Sequence, residues 1–562
     1  MTRRSARPPL LLSLSLSALA LAACGGGSDP VTPTVDCDGV TVTTLAVGGH
    51  AIVDPTASNG CLRLPAADPA GAEYLVVAYS ANGQETTNGV KGSFSLRGVT
   101  DDFAALRGTT EPSPRLAAFQ PPAEPESFHQ MLRARDRALS RSPAAQLGRY
   151  RAPRALVPPT VGSTRDFEVC KTTSCTSFVT VAATAQYVGS RVALYLDDSV
   201  PSGGLSGADI TGFGDLFDQQ LYGFDTTAFG RESDVDGNGI VAVLLTDQVN
   251  ALSPNCETTG QIIVGYFFGL DLLPGQAHSN DGEVFYGLVP DPSKPICAAK
   301  ARVLDLLPPT LIHEFQHMIS FNRHVLLGGG AAEETWLNEG LSHYAEELGG
   351  RQANNASCTA NNCLDQFAAG NLLNAYDYLT APEVTYLVEP GTSGGTLRER
   401  GANWLFVRWL ADQSPTDTLL GTDITRRLLG ADQAGGLATT GAATAVAAAQ
   451  LFQPGITFAT LAGQFHLANG GEAVTGFTEP SGRLRFKSWN LAVAFDQVFP
   501  GPYPLFPDST AGPGYAGAGT LRGGSGTYVR VVQPGDAAAV ALSLSVENAG
   551  AVQPQYAVLR IR

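Results

Sequence analysis

Leu311-Ile312-His313-Glu314-Phe315-Gln316-His317-Met318-Ile319 is the stretch on which the reading of this chain turns. At about 100° per residue the two histidines lie one turn apart on the same helix face, so both imidazoles can reach a single ion. Glu314, next in sequence to the first, stands beside such an ion without being forced to ligate it, and can there take a proton from water and pass it on. Pro308, Pro309 and Thr310 supply helix-start chemistry just before the motif, so the helix is expected to begin there. Leu311, Ile312, Phe315 and Ile319 can bury the rest of it. The plain alternative is a polar helix face on which two unrelated histidines happen to fall four apart.

A catalytic zinc generally takes three protein ligands and leaves a fourth position for water, so a third donor is required. One continuation of the motif runs x-x-Gly-x-x-His and needs a later Met-turn. It fails twice: Ser320 and Arg323 stand at the two fixed positions with His324 one residue out of register, and the methionines are Met1, Met131 and Met318. The better source is a second helical run, Thr335-Trp336-Leu337-Asn338-Glu339-Gly340-Leu341-Ser342-His343-Tyr344-Ala345-Glu346. Leu337, Leu341, Tyr344 and Leu348 make its buried stripe, and Thr335 can cap its start. Glu339 and His343, one turn apart, can each reach the ion. His343 and Tyr344 are also candidates for donating to a developing oxyanion, although they point in different directions. For Tyr344 the stronger reading is an aromatic packed beneath the site. Glu346 is either an acceptor for a ligand histidine's N–H or a solvated carboxylate.

His313-Glu-Phe-Gln-His-Met-Ile-Ser-Phe321 followed by Glu334-Thr-Trp-Leu-Asn-Glu-Gly-Leu-Ser342 resembles the gluzincin metallopeptidases, and within them the hyicolysin family. The resemblance is strongest over about residues 230 to 410, where Asp234-Val-Asp-Gly-Asn-Gly239 and Arg400-Gly-Ala-Asn-Trp-Leu-Phe-Val-Arg408 are also similar. It implies a zincin-like domain, a mixed sheet packed on active-site helices, with Glu339 as the third zinc ligand. It implies one catalytic Zn2+ and peptide-bond hydrolysis with Glu314 as general base. Protein or peptide substrates follow, and an endopeptidase is expected because no feature of the sequence would capture a free terminus.

Upstream, Arg3, Arg4 and Arg7 precede an apolar run from Leu10 to Leu21 and then Leu21-Ala22-Ala23-Cys24. That order reads as an export signal over residues 1–23, too short to be a membrane span. Leu-Ala-Ala-Cys resembles the lipobox of bacterial lipoproteins, which implies lipidation of Cys24, a tether over 24–35 and anchoring to a membrane facing an extracytoplasmic, oxidising compartment. Losing residues 1–23 removes three arginines and no acid, taking the net charge from −16 to −19. Such acidity argues against nucleic acid as a partner, since phosphate is bound by Lys and Arg patches. Of nine cysteines, eight remain beside Cys24, and nearest-neighbour pairing gives Cys37 with Cys61, Cys170 with Cys175, Cys256 with Cys297 and Cys358 with Cys363. Disulfides suit the exported setting.

With 562 residues, more than one core is expected. Strand-like runs at Val40 to Val47, Tyr74 to Tyr79 and Gly92 to Gly98 suggest an N-terminal β domain over 36–105. Residues 106–160 form a Pro/Arg-rich linker whose Phe128, Met131, Leu132 and Leu139 recur at helical spacing, marking an amphipathic helix able to dock on its neighbour. Strands from Ser177 to Leu288 and then helices from Leu311 onward give an α+β metallopeptidase domain over 161–480. A C-terminal β domain occupies 495–562, with strands at Tyr528 to Val532, Ala539 to Val546 and Tyr556 to Ile561. Asp234, Asp236 and Asn238 match the first half of a calcium loop, but Leu245 stands where a helix-loop-helix Ca2+ site needs Glu. A calcium-stabilised turn and an ordinary Asp/Asn/Gly turn both stay open. Two rival functions are a non-catalytic surface-binding lipoprotein with an inert core, and a serine hydrolase using Ser393 in Gly391-Thr392-Ser393-Gly394-Gly395.

Overall fold

The computed structural model describes residues 36–99, 124–148, 156–353, 362–391, 395–414, 422–499 and 501–562. The export signal, Cys24 and its tether, the Cys358 to Cys363 pairing and Ser393 lie outside the described residues. Helices relevant to the site are α1 (Glu124–Ser140), α2 (Lys300–Phe321), α3 (Thr335–Gln352), α4 (Asn362–Thr380), α5 (Leu397–Ala411) and α6 (Phe458–Glu472). Mixed helices and sheets make the chain α+β.

The sheet behind the site has six strands. Thr164–Cys170, Phe178–Val188 and Val192–Asp197 run as an antiparallel meander, and Val241–Leu245 and Val284–Gly287 join in parallel. Gly265–Phe267 closes the edge, antiparallel to Val284–Gly287. Val241–Leu245 is apolar and buried throughout, as a parallel strand covered on both faces must be. Helix α2 packs on the edge strand and on Val284–Gly287, while α3 packs between α2, α4 and α5.

The two β segments expected as separate domains form one sandwich. The order His50–Val53, Pro554–Arg560, Ala72–Ser80, Gly526–Gln533, Asp508–Thr510 makes one sheet, and Ala516–Arg522, Lys91–Val99, Val540–Val546, Cys61–Leu64 the other. An N-terminal strand thus lies between two C-terminal ones. All of Ala72–Ser80 is buried, because its alternate faces serve different cores: Tyr74, Val76 and Ala78 point between the sheets, and Leu75, Val77 and Tyr79 toward the helical core. Tyr79 Oη donates to Ala459 O of α6 at 2.6 Å, tying the two together. The expected strand at Val40 to Val47 is reduced to a single bridge at Val42.

Helix α2 begins at Lys300, so Pro308 and Pro309 lie inside it and do not start it. Each proline removes the N–H that would bond four residues back, leaving the carbonyls of Leu304 and Asp305 without helical donors. Gln366 Nε2 of α4 reaches both, at 3.5 and 3.1 Å. The N-cap of α3 is Glu334, one residue before the expected Thr335, and its Oε2 accepts the Trp336 indole N–H at 2.7 Å. Three of the four expected disulfides are formed: Cys37–Cys61, Cys170–Cys175 and Cys256–Cys297. They fit an extracellular setting. No helix among the described residues is long and apolar enough to cross a membrane.

Candidate metal centre

Helices α2 and α3 bring His313, His317 and Glu339 to one buried point, their candidate ligand atoms all within 4.8 Å of one another. The two Nε2 atoms are 3.2 Å apart, and each lies 3.6 Å from a Glu339 oxygen. Donors about 2.0–2.1 Å from a tetrahedral zinc would stand about 3.3 Å from each other. Two imidazole nitrogens facing one another, beside a buried carboxylate whose hydrogen-bonding capacity is not filled, make poor sense as a closed hydrogen-bond network and good sense around a cation.

The rings are oriented from behind. Glu346 Oε1 lies 2.7 Å from His313 Nδ1, and Ser342 Oγ lies 3.0 Å from His317 Nδ1. Ser342 gives its own proton to Gln316 Oε1, and its oxygen also lies 3.2 Å from His317 Nε2, so it touches both nitrogens of that ring. With Nδ1 of His313 held by Glu346, its Nε2 is the nitrogen that faces the common point. Glu339 is held by Arg400 of α5, whose Nη1 lies 3.1 Å from Oε2. Burial works to raise the Glu339 pKa, but the Arg400 charge and the two histidines hold it well below the usual carboxylate range. Burial likewise opposes charge on His313, yet the Glu339 and Glu346 carboxylates prevail and push it up to about 10. His317, governed by burial, is held well below its ordinary value.

Glu314 stands apart from the three. Its Oε2 accepts the backbone N–H of Phe267, on the edge strand, at 2.8 Å, and burial raises its pKa. A carboxylate that is next to a metal position, fixed by one peptide N–H and more basic than usual, has the attributes of a general base.

The remaining predicted residues divide. His343 sits against His313, ring centroids 4.9 Å apart, with Nδ1 3.1 Å from Glu346 Oε2 and a buried Nε2 that has no hydrogen-bond partner. Tyr344 points away from the ligand set: its hydroxyl accepts from Arg408 Nη1 at 3.0 Å, under a guanidinium that covers its ring. The helix turn that brings Glu339 and His343 to the site turns Tyr344 into the α3–α5 core. Asp234, Asp236 and Asn238 lie elsewhere and cap their own turn, accepting from Gly239 N, Asn238 N and Ile240 N. Glu283 joins the two aspartates in a second cluster. His324 also lies away from the ligands, against Leu437 O and Glu333.

Sequence reasoning missed two supporting residues. Ser342 is one turn beyond Asn338, on the face of α3 that meets α2, a position its spacing could have revealed. Arg400 opens a stretch that was singled out, but nothing local indicates that its partner is Glu339.

No family model matches the chain. Over 169 residues it is 29% identical to the neutral metalloprotease ShpI of Staphylococcus hyicus, a match covering 30% of this chain and 36% of that protein. The chain is therefore similar, over a minor part of both lengths, to a metallopeptidase.

Proposed function

We propose that this chain is a zinc-dependent peptidase of the gluzincin type, an endopeptidase in which His313, His317 and Glu339 hold the ion and Glu314 is the general base. The observation that carries this reading is the buried, outwardly braced convergence of two Nε2 atoms and a carboxylate beside Glu314. Similarity to a neutral metalloprotease supports the same class of reaction. Zinc bound there supplies Lewis acidity, bringing the pKa of water toward about 7 and polarising a peptide carbonyl.

The chain's own residues do the rest. Glu314 takes the proton of the attacking water and returns it to the leaving amine, with the Phe267 N–H keeping the carboxylate in place. Glu346 fixes the His313 imidazole in the ligating tautomer, Ser342 packs against the His317 ring, and Arg400 keeps Glu339 ionised. His343, with its unpartnered Nε2, is the side chain available to a substrate carbonyl oxygen, and because its Nδ1–H goes to Glu346 it donates there only when the ring is protonated on both nitrogens. Export and lipid anchoring through Cys24 belong to the same proposal, supported by the sequence around that residue and by the disulfides.

The deciding experiment compares wild type with Glu314→Gln for zinc content and for cleavage of a broad peptide library. Stoichiometric zinc in both, cleavage by the wild type alone, and loss of that cleavage on chelation are expected. A wild type that binds no zinc sinks the reading; one that binds zinc and cuts nothing shifts it to a binding protein.

A further inference from the structure

Helix α1 carries a composition that a mere cover would not need. Phe128 and Leu132 are fully buried, as an amphipathic helix requires, but so are Arg133 and Asp136 on the same side. Charged side chains are seldom buried without specific partners. Here the partners are the backbone of the edge strand and the residues just after it. Arg133 Nη2 donates to Phe267 O at 2.7 Å, and Asp136 Oδ1 accepts from Gly269 N at 2.9 Å. Arg133 and Asp136 lie 3.5 Å apart, closing the set.

Phe267 is thereby shared. Its N–H goes to Glu314 and its C=O to Arg133, so both groups face away from the sheet, toward the metal side. Phe128 packs edge-on against Tyr266, ring centroids 5.2 Å apart. Gln130 Nε2 donates to Gly395 O at 2.6 Å and Arg137 Nη2 to Gly391 O at 3.0 Å, so α1 also grips the segment leading into α5, the helix of Arg400. One turn before Arg133, His129 has an enclosed Nδ1 with no hydrogen-bond partner, and its electrostatic neighbours are Arg400, Glu339 and His313.

An exposed strand edge binds extended polypeptide by pairing with its outward N–H and C=O groups. A peptide laid along Gly265–Phe267 toward Glu314 would need the Phe267 carbonyl that α1 already holds. We propose that α1 is an internal occupant of the polypeptide-binding surface beside the metal centre, and that substrate and α1 exclude one another. This rests on the metallopeptidase reading for what the surface is used for. The sandwich strands before α1 are not part of the device, since they are interleaved with C-terminal strands and stay with the core.

The test uses the full zinc-loaded chain, the double variant Arg133→Ala/Asp136→Ala and a fluorescent peptide hydroxamate as the probe of the cleft. The variant removes α1's bonds to the edge-strand segment and no metal donor. Its hydroxamate affinity and its kcat/KM on library peptides should both rise by at least about tenfold, the effect of losing one charge-assisted hydrogen bond. In the wild type, where folding is not in question, saturating hydroxamate should accelerate amide hydrogen exchange across α1. If hydroxamate binds while α1 stays protected, or the folded variant binds no tighter than wild type, α1 is a structural cover and the proposal is wrong. Were no peptide cut by either protein, hydroxamate-driven exposure of α1 would still uphold it while the peptidase reading fell.

Discussion

Replacing Glu346 by Ala isolates the bracing of the metal centre from its ligands. The Glu346 carboxylate takes His313 Nδ1 on one oxygen, at 2.7 Å, and His343 Nδ1 on the other, at 3.1 Å. Burial alone would raise its pKa, but His343 and His313 bring it down to about 2, so it is charged wherever the protein is folded. Without it the His313 ring has no fixed tautomer, and the lone pair aimed at the common point is no longer guaranteed. Loss of such a partner typically lowers metal affinity about 10- to 100-fold, or about 1.4–2.7 kcal/mol. The upper half of that range is expected, because the bond is short, buried and to a charged acceptor. Glu346→Gln, which retains an acceptor oxygen without the charge, should fall near the lower end. Zinc titration against a chromophoric chelator at neutral pH measures both, with thermal midpoints as the folding control. Equal zinc affinity in wild type and Glu346→Ala would refute the idea that this carboxylate orients His313.

His466, fully buried on α6, has Nε2 against the carbonyl of Gly524 and Nδ1 against the Tyr528 hydroxyl, and burial lowers its pKa from 6.5 to about 4. The unfolded chain protonates first as pH falls, so stability is lost between pH 6.5 and about 4. The loss reaches about 3 kcal/mol at the lower end of that window. Urea midpoints across the window should fall less steeply in His466→Gln, and parallel slopes would reject this. In Gly340→Ala the new Cβ would stand 2.8 Å from Asn403 O and 3.0 Å from a Val407 methyl. The backbone carbonyl cannot yield, so α3 and α5 must part at a cost of about 1–3 kcal/mol. A lower thermal midpoint and weaker zinc binding should appear together, Glu339 being the adjacent residue. Glu347→Ala strips a buried acceptor from Arg408, Trp404 and Trp489. It should cost about 3–5 kcal/mol in denaturant unfolding, and a change under 1 kcal/mol, on the order of a surface pair, would show the network to be dispensable.

The helical half of the site was legible because its signals are local. The spacing of His313 and His317, and the stripe Leu337, Leu341, Tyr344, Leu348, are properties of a helix face, and all four stripe residues are buried. What escaped were the terms that act across the chain. Strand Ala72–Ser80 pairs with strands that begin at Gly526 and Pro554, and alternation alone carries no address for a partner so far away. The two prolines looked like a helix start because local chemistry forbids them inside a helix unless the freed carbonyls find donors, and the donor is Gln366, more than 60 residues on. Arg400 and Arg133 escaped for the same reason, each meeting its site partner only through tertiary packing.

The centre also shows how one small volume gives two carboxylates opposite tendencies. Glu314 and Glu339 are both buried, and burial by itself disfavours the charge on each. For Glu339 that penalty is overcome by a guanidinium 3.1 Å away and by two imidazoles, leaving a carboxylate that stays ionised. Around Glu314 the His313 charge, the Arg133 charge and one peptide N–H oppose the burial but do not overcome it, so its affinity for a proton stays raised. Environments that push paired acids apart in this way suit the two roles proposed for them, one as ligand and one as base. Arg133 belongs to α1, so an event that lifts α1 from the edge strand uncovers the Phe267 carbonyl while leaving its N–H on Glu314. Displacement of one helix would thus open the binding surface without disturbing the bond that holds the base.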